Sequence, residues 1–175
     1  MKRWLTFPPG SVLLGLTLAA LSATVGIWFV LAWIGRALAP ATIIDLEFAW
    51  SPERLNTLTG LWGEAGTEAA RLSLWVDYLF MPAYALLFGG LTLLTARAAA
   101  GVWQNLGLWA TALAFVAALW DALENTLLLT ALPPASPSAL ALPVAGSAAA
   151  LKFGLLAVCL VYLGAAQAAR WRTRR

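Results

Sequence analysis

The chain has 175 residues, 62% of them hydrophobic and 11% charged, with a formal net charge of +3. An average soluble protein carries roughly 25% charged residues, and one domain of this length has no interior large enough to hide so much apolar surface. Histidine is absent and Cys159 is the lone cysteine, which excludes histidine-ligated haem, His- or Cys-based zinc sites, a cysteine redox pair, an intramolecular disulfide and imidazole-based catalysis.

Crossing ~30 Å of hydrocarbon takes about 20 apolar residues. Four stretches qualify: 12–35, 72–96, 105–132 and 144–169. The expected fold is all-α, an integral membrane four-helix bundle forming a single domain over 1–175. The first stretch follows Lys2 and Arg3 and precedes Ala37-Leu38-Ala39, so it imitates a cleaved signal peptide. Its apolar run exceeds the ~7–15 residues of a signal core, and it is read as a retained anchor.

The connection 36–71 is the one sizeable extramembrane element. Its 43–50 part ends with alternation, Leu46, Phe48 and Trp50 apolar and Asp45, Glu47 and Ala49 not, which predicts a short extended segment. Ser51-Pro52-Glu53 is a helix start: an N-cap, a proline at the first position and an acid in the first turn. Leu55, Leu58 and Leu61-Trp62 then form an apolar stripe. Gly60, Gly63 and Gly66 should break it, and Thr67 should cap the helix that enters the second span. A short amphipathic helix capping the outer side is the result, within a cap over 40–70.

Basic residues orient the bundle. Lys2 and Arg3 precede span one, Arg97 lies between spans two and three, and Arg170, Arg172, Arg174 and Arg175 follow span four. The 36–71 connection holds three arginines and five acids, and 133–143 has no charge. The positive-inside rule places both termini in the cytoplasm. Trp4, Trp103 and Trp171 fall at the inner ends and Trp33, Trp50, Trp62 and Trp75 near the outer face, as an aromatic belt requires. Gly15/Ala19 and Gly164/Ala168 are small-residue pairs expected to serve tight helix packing, and Gly89-Gly90 allows close approach. Nine arginines to two lysines and abundant alanine point to a GC-rich, bacterial genome, and with the spans to a location in the inner membrane.

Ionisable residues inside spans cost ~2.5–3.5 kcal/mol each on the insertion scale and are functional candidates by default. Here they are Asp77, Asp121, Glu124 and Lys152. The helical rise puts them roughly 7, 15, 10 and 12 Å below the outer end of their spans. Asp121, Glu124 and Asn125 share one helix face, which must turn inward because lipid offers no partners. Pro82 cannot donate to the Tyr78 carbonyl, so a kink is expected one turn after Asp77. The candidate site is Asp77, Tyr78, Tyr84, Asp121, Glu124, Asn125 and Lys152, roofed by a helix over 51–66, for ligand binding or proton handling. The structural alternative is an ion pair of Lys152 with Glu124 or Asp121. No cofactor, metal or nucleic acid is expected.

Asp45-Leu46-x-Phe48-x-x-Ser51-Pro52-Glu53, then Gly63-Glu64-x-Gly66, Asp77-x-x-Phe80-x-x-x-Tyr84 and Asp121-x-Leu123-Glu124-Asn125, resembles a group of small bacterial four-span membrane proteins without assigned activity. The resemblance covers roughly 43–125 and implies fold and membrane location. A looser analogy, with no residue-by-residue match, is to the four-span sterol-isomerase and sigma-2 receptor family. The expected function is binding or converting a lipophilic small molecule or lipid in an intramembrane acidic pocket. Alternatives are a structural or assembly subunit of a larger membrane complex, and an oligomeric proton-coupled transporter. Membrane lipid, a lipophilic molecule, further copies of the chain or a membrane-complex partner are the expected partners.

Overall fold

The structure, a computed structural model, describes residues 2–134, 138 and 140–173. Arg174, Arg175 and part of the 133–143 connection lie outside the described residues. The described residues form α1 (Gly10–Ile34), α2 (Ile43–Glu47), α3 (Pro52–Arg97), α4 (Gly101–Ala131) and α5 (Ala141–Thr173), with a 3-10 turn at Gly35–Leu38. Four helices are long and apolar enough to cross a membrane. The protein is a multi-pass helical membrane bundle. Against the predicted 12–35, 72–96, 105–132 and 144–169, each helix starts earlier, α3 as early as Pro52; α1 and α4 end at Ile34 and Ala131, one residue short, and α3 and α5 run on to Arg97 and Thr173.

Packing follows chain order. α3 lies between α1 and α4, and α5 packs on α4. The α4–α5 seam is built from small side chains, with Ala110, Ala114, Ala117, Ala145, Ala148 and Ala149 all buried. Side chains of this size let backbones approach closely where lipid supplies no hydrophobic drive. At the α1–α3 crossing, Gly90 lies against the Thr17 side chain, and a Cβ at position 90 would overlap it. The predicted pairs Gly15/Ala19 and Gly164/Ala168 do not serve these seams: all four residues but none of their neighbours Leu13, Thr17, Tyr162 and Ala166 face outward.

One end of the bundle is tied by Arg97, whose guanidinium donates to the Trp4 carbonyl at 2.6 Å and to the Pro8 carbonyl at 2.7 Å. Arg170 donates to the Ala98 carbonyl at 2.8 Å. The N-terminal segment, the α3–α4 turn and the end of α5 thus meet at one end, and the cap occupies the other.

The cap differs from the sequence reading in three ways. First, 43–47 is helical, not extended. The Asp45 carboxylate accepts from the Thr42 backbone N–H and hydroxyl, both at 2.8 Å, and pairs with Arg54 at 3.4 Å. This capping box satisfies the first donors of α2 and outweighs the weak alternation signal. The same bonds, from the Thr42 hydroxyl first, hold the Asp45 carboxyl below the usual carboxylate range.

Second, of the three glycines only Gly63 breaks the helix, with φ 63 and ψ −166. Thr67 is not a cap; its hydroxyl donates back to the Gly63 carbonyl at 2.7 Å within the helix. The backbone keeps helical φ/ψ through Pro82, so the one interruption in α3 lies in the cap.

Third, Trp62 is not a belt residue. It is 7% exposed, and its Nε1 donates to the Leu38 carbonyl at 2.7 Å. Leu55, Leu58 and Trp62 face a buried cluster with Leu38, Leu46, Leu128, Leu132 and Leu142, while Leu61 points out. Each buried leucine contributes ~1.5–3 kcal/mol relative to exposure in water. Ser51 starts the helix as expected, its hydroxyl accepting from Arg54 N–H at 3.3 Å.

The Gly63 conformation belongs to a region that only glycine occupies freely, and a Cβ there meets nothing within 4 Å. Gly63→Ala therefore carries a purely conformational cost of about 1–3 kcal/mol. A lowered thermal midpoint in detergent, with Gly60→Ala unchanged or raised, is the expected outcome.

Candidate functional site

The site grows from one lysine. Lys152 projects from α5 into the bundle and is 4% exposed. Its Nζ lies 2.7 Å from Asp121 Oδ1, 2.9 Å from Glu124 Oε2 and 3.4 Å from Glu47 Oε1. Asp121 and Glu124 come from one face of α4, as their i, i+3 spacing requires. Glu47 comes from the last residue of α2. The Phe153 ring lies 5.0 Å from the same ammonium. Removing this ammonium from water is compensated only because three carboxylates converge on it.

Around this knot the other polar groups are ordered. Tyr84 donates its hydroxyl to Asp121 Oδ2 at 2.8 Å, so that carboxylate is held from two sides. Asn125 Nδ2 donates to Asp77 Oδ2 at 2.8 Å and to the Leu74 carbonyl at 3.1 Å. Asp77, Tyr84, Asp121, Glu124, Asn125 and Lys152 are therefore brought together. Tyr78 is not: its hydroxyl pairs with Thr126 Oγ1 at 2.7 Å and with the Ala122 carbonyl at 3.3 Å. Its place one residue after Asp77 turns it by about 100° around the helix.

Glu47 is the residue that sequence reasoning missed, because it stood in a predicted extended segment among solvated acids. A helix of one turn rotates it inward instead. It lies outside the spans, and burial pushes its carboxyl above the usual carboxylate range, against the pull of the Lys152 ammonium and with the Asp121 charge adding to the rise. Four carboxyls and one ammonium share this region. Glu47 Oε2, Glu124 Oε1 and Asn125 Oδ1 are buried without a hydrogen-bond partner among the described residues.

Beside the knot lies a cavity of about 600 Å³. Its volume is in the range that holds drug-sized ligands. One stripe of α3, Ser73, Asp77, Phe80, Tyr84 and Phe88, forms its floor at helical spacing. Trp28 and Leu31 of α1 and Phe153 and Leu156 of α5 form the walls. Thr42 and, from α2, Ile43, Ile44 and Glu47 line the cap side, and no residue of 51–66 lines the space. The roof is α2, and the longer cap helix holds α2 in place from behind through Leu46.

No protein-family model matches the chain, and no curated protein or solved structure shows significant similarity to it.

Removing Lys152 leaves three buried carboxyls without a cation, whereas removing Glu47 leaves the ammonium two partners. Lys152→Met is expected to lower stability by about 3–5 kcal/mol, the cost of breaking a buried pair. Glu47→Gln retains the folded bundle. Thermal unfolding of both variants in one detergent checks the order.

Proposed function

We propose that the chain binds a lipophilic molecule, drawn from the membrane, in the cavity between α1, α2, α3 and α5. One observation carries this reading: Asp77, half-buried, is the acid of the group that makes no ion pair with Lys152, and it faces the cavity. The three carboxylates around Nζ already engage the ammonium. Glu47, Asp121 and Lys152 also line the cavity but are paired with one another, so its polar end offers acceptors from Asp77 and from the Ser73 hydroxyl one helical turn away. A head group that donates hydrogen bonds, an amine or a hydroxyl, complements it; a carboxylate or phosphate meets like charge. Trp28, Phe80, Tyr84, Phe88 and Phe153 supply an aromatic lining for the apolar part.

Orientation belongs to the same proposal. Arg3, Arg97, Arg170 and Arg172 gather at one end, and Asp45, Glu53, Glu64 and Glu68 belong to the other. The positive-inside rule supports cytoplasmic termini with the α2 cap outside. The resemblance over roughly 43–125 to small bacterial four-span membrane proteins supports a bacterial inner membrane.

A second reading is favoured by the Lys152 knot itself. It joins α2, α4 and α5, as the core of a structural or assembly subunit would. Binding separates the two. In phosphatidylcholine nanodiscs, octadecylamine and octadecanol should bind, and octadecanoate at least tenfold more weakly. Asp77→Asn should weaken octadecylamine binding by about tenfold, or ~1.4 kcal/mol, with the thermal midpoint unchanged. Equal binding of all three probes, or an Asp77→Asn variant that binds as well as the parent, contradicts the ligand-binding reading.

A further inference from the structure

We propose that the cavity fills sideways, through the slot between α1 and α5, with a single-chain amphiphile whose head stays at the depth of Ser73 and Asp77. This rests on the ligand-binding reading above and adds the route and the shape of the molecule.

The seam of α1 shows where a partner is missing. Leu13, Thr17 and Ala20 are buried along one stripe of this helix. The same stripe continues through Thr24, Trp28 and Leu31, at the same three- and four-residue steps. None of these three is buried, and all three line the cavity. Burial on α1 resumes at Ile34. The helix thus keeps facing inward over two further turns where protein covers it only in part.

Across that space stands α5, with which α1 forms no packed seam. Trp28 is 54% exposed and Phe153 is 40% exposed, yet both line the cavity. A residue that faces both outside and cavity stands at a rim. In a membrane-spanning bundle the outside at this depth is acyl chain, so the rim opens to hydrocarbon. Toward the cap, Glu47 is held by Lys152, and the exposed Thr42 and Ile44 carry the rim on to the head-group side.

The cavity's shape states the rest. From Ser73 to Phe88 it follows fifteen residues of α3, or ~22 Å along the helix axis. It is polar at the α2 end and aromatic at the other. An amphiphile in the adjacent leaflet has the same order of polarity along its length. Sideways movement lets its head remain near the polar boundary, and avoids the cost of burying a polar group in hydrocarbon without partners.

Tethering the rim tests this. A Trp28→Cys/Phe153→Cys variant on a Cys159→Ala background is reconstituted in phosphatidylcholine vesicles containing diazirine-bearing octadecanol. The cysteines are either bridged with a bis-maleimide or capped separately with N-ethylmaleimide. In the capped protein, photolabelling of peptides carrying Phe80, Tyr84 and Leu156 is expected. Bridging should slow that labelling at least tenfold, and bridging after loading should trap the probe against excess unlabelled octadecanol. Labelling at the same rate in bridged and capped protein overturns the lateral route while leaving the cavity reading intact. Absence of cavity labelling in the protein with native Trp28 and Phe153, run alongside, overturns both.

Discussion

A single ammonium inside a membrane constrains most of this structure. Lys152 sits where three carboxylates meet, with Asp121 at 2.7 Å, Glu124 at 2.9 Å and Glu47 at 3.4 Å. A lysine in hydrocarbon is tolerated only where partners are already in place. Those partners fix three relationships at once. The 121/124/125 face of α4 turns inward, α5 approaches α4 closely enough for Lys152 to reach it, and α2 is drawn in so that Glu47 closes the group. The alanine-rich α4–α5 seam makes that approach possible, and the capping box of Thr42 and Asp45 makes α2 a helix that can deliver Glu47.

The knot also decides what remains for a ligand. Glu47, Asp77 and Asp121 all line the cavity, and by engaging Glu47 and Asp121, Lys152 leaves Asp77 as the lining acid without an ion pair to it. Tyr84 joins the two regions, since its hydroxyl donates to Asp121 while its ring lies in the cavity floor. The cavity exists because α1 follows α3 and not α5. Its stripe packs well at the Leu13–Ala20 level, where Gly90 admits Thr17, and loses its partner from Thr24 to Leu31. Interiors are close-packed as a rule. A gap of this size beside buried acids is therefore the feature of the bundle that packing does not account for.

Much of this was legible in the residues. Four apolar stretches, the i, i+3, i+4 polar face of α4 and the shared depth of Asp77, Asp121, Glu124 and Lys152 follow from period and rise alone. The Ser51-Pro52 helix start was readable for the same reason, being local. What was hidden depended on tertiary rotation or on competing local signals. The 45–50 alternation pointed to an extended segment, and the short-range Thr42–Asp45 bonds prevailed. That change carried Glu47 from solvent into the site. Trp62 looked like an interfacial residue because position along the chain does not reveal that its indole reaches the Leu38 carbonyl. Tyr78 was placed in the site by proximity to Asp77, although adjacent helical residues point in different directions. Among Gly60, Gly63 and Gly66, composition could not single out the one with positive φ.

The central claim is that the space between α1 and α5 holds a molecule from the bilayer. Native mass spectrometry of the protein released directly from its own membrane, without detergent exchange, tests this most directly. A bound apolar mass at about one copy per chain is the predicted result, and it should vanish when the cavity is filled by Leu31→Trp while the bundle stays folded. A bare polypeptide mass from the native membrane, or a bound mass indifferent to Leu31→Trp, would contradict the account.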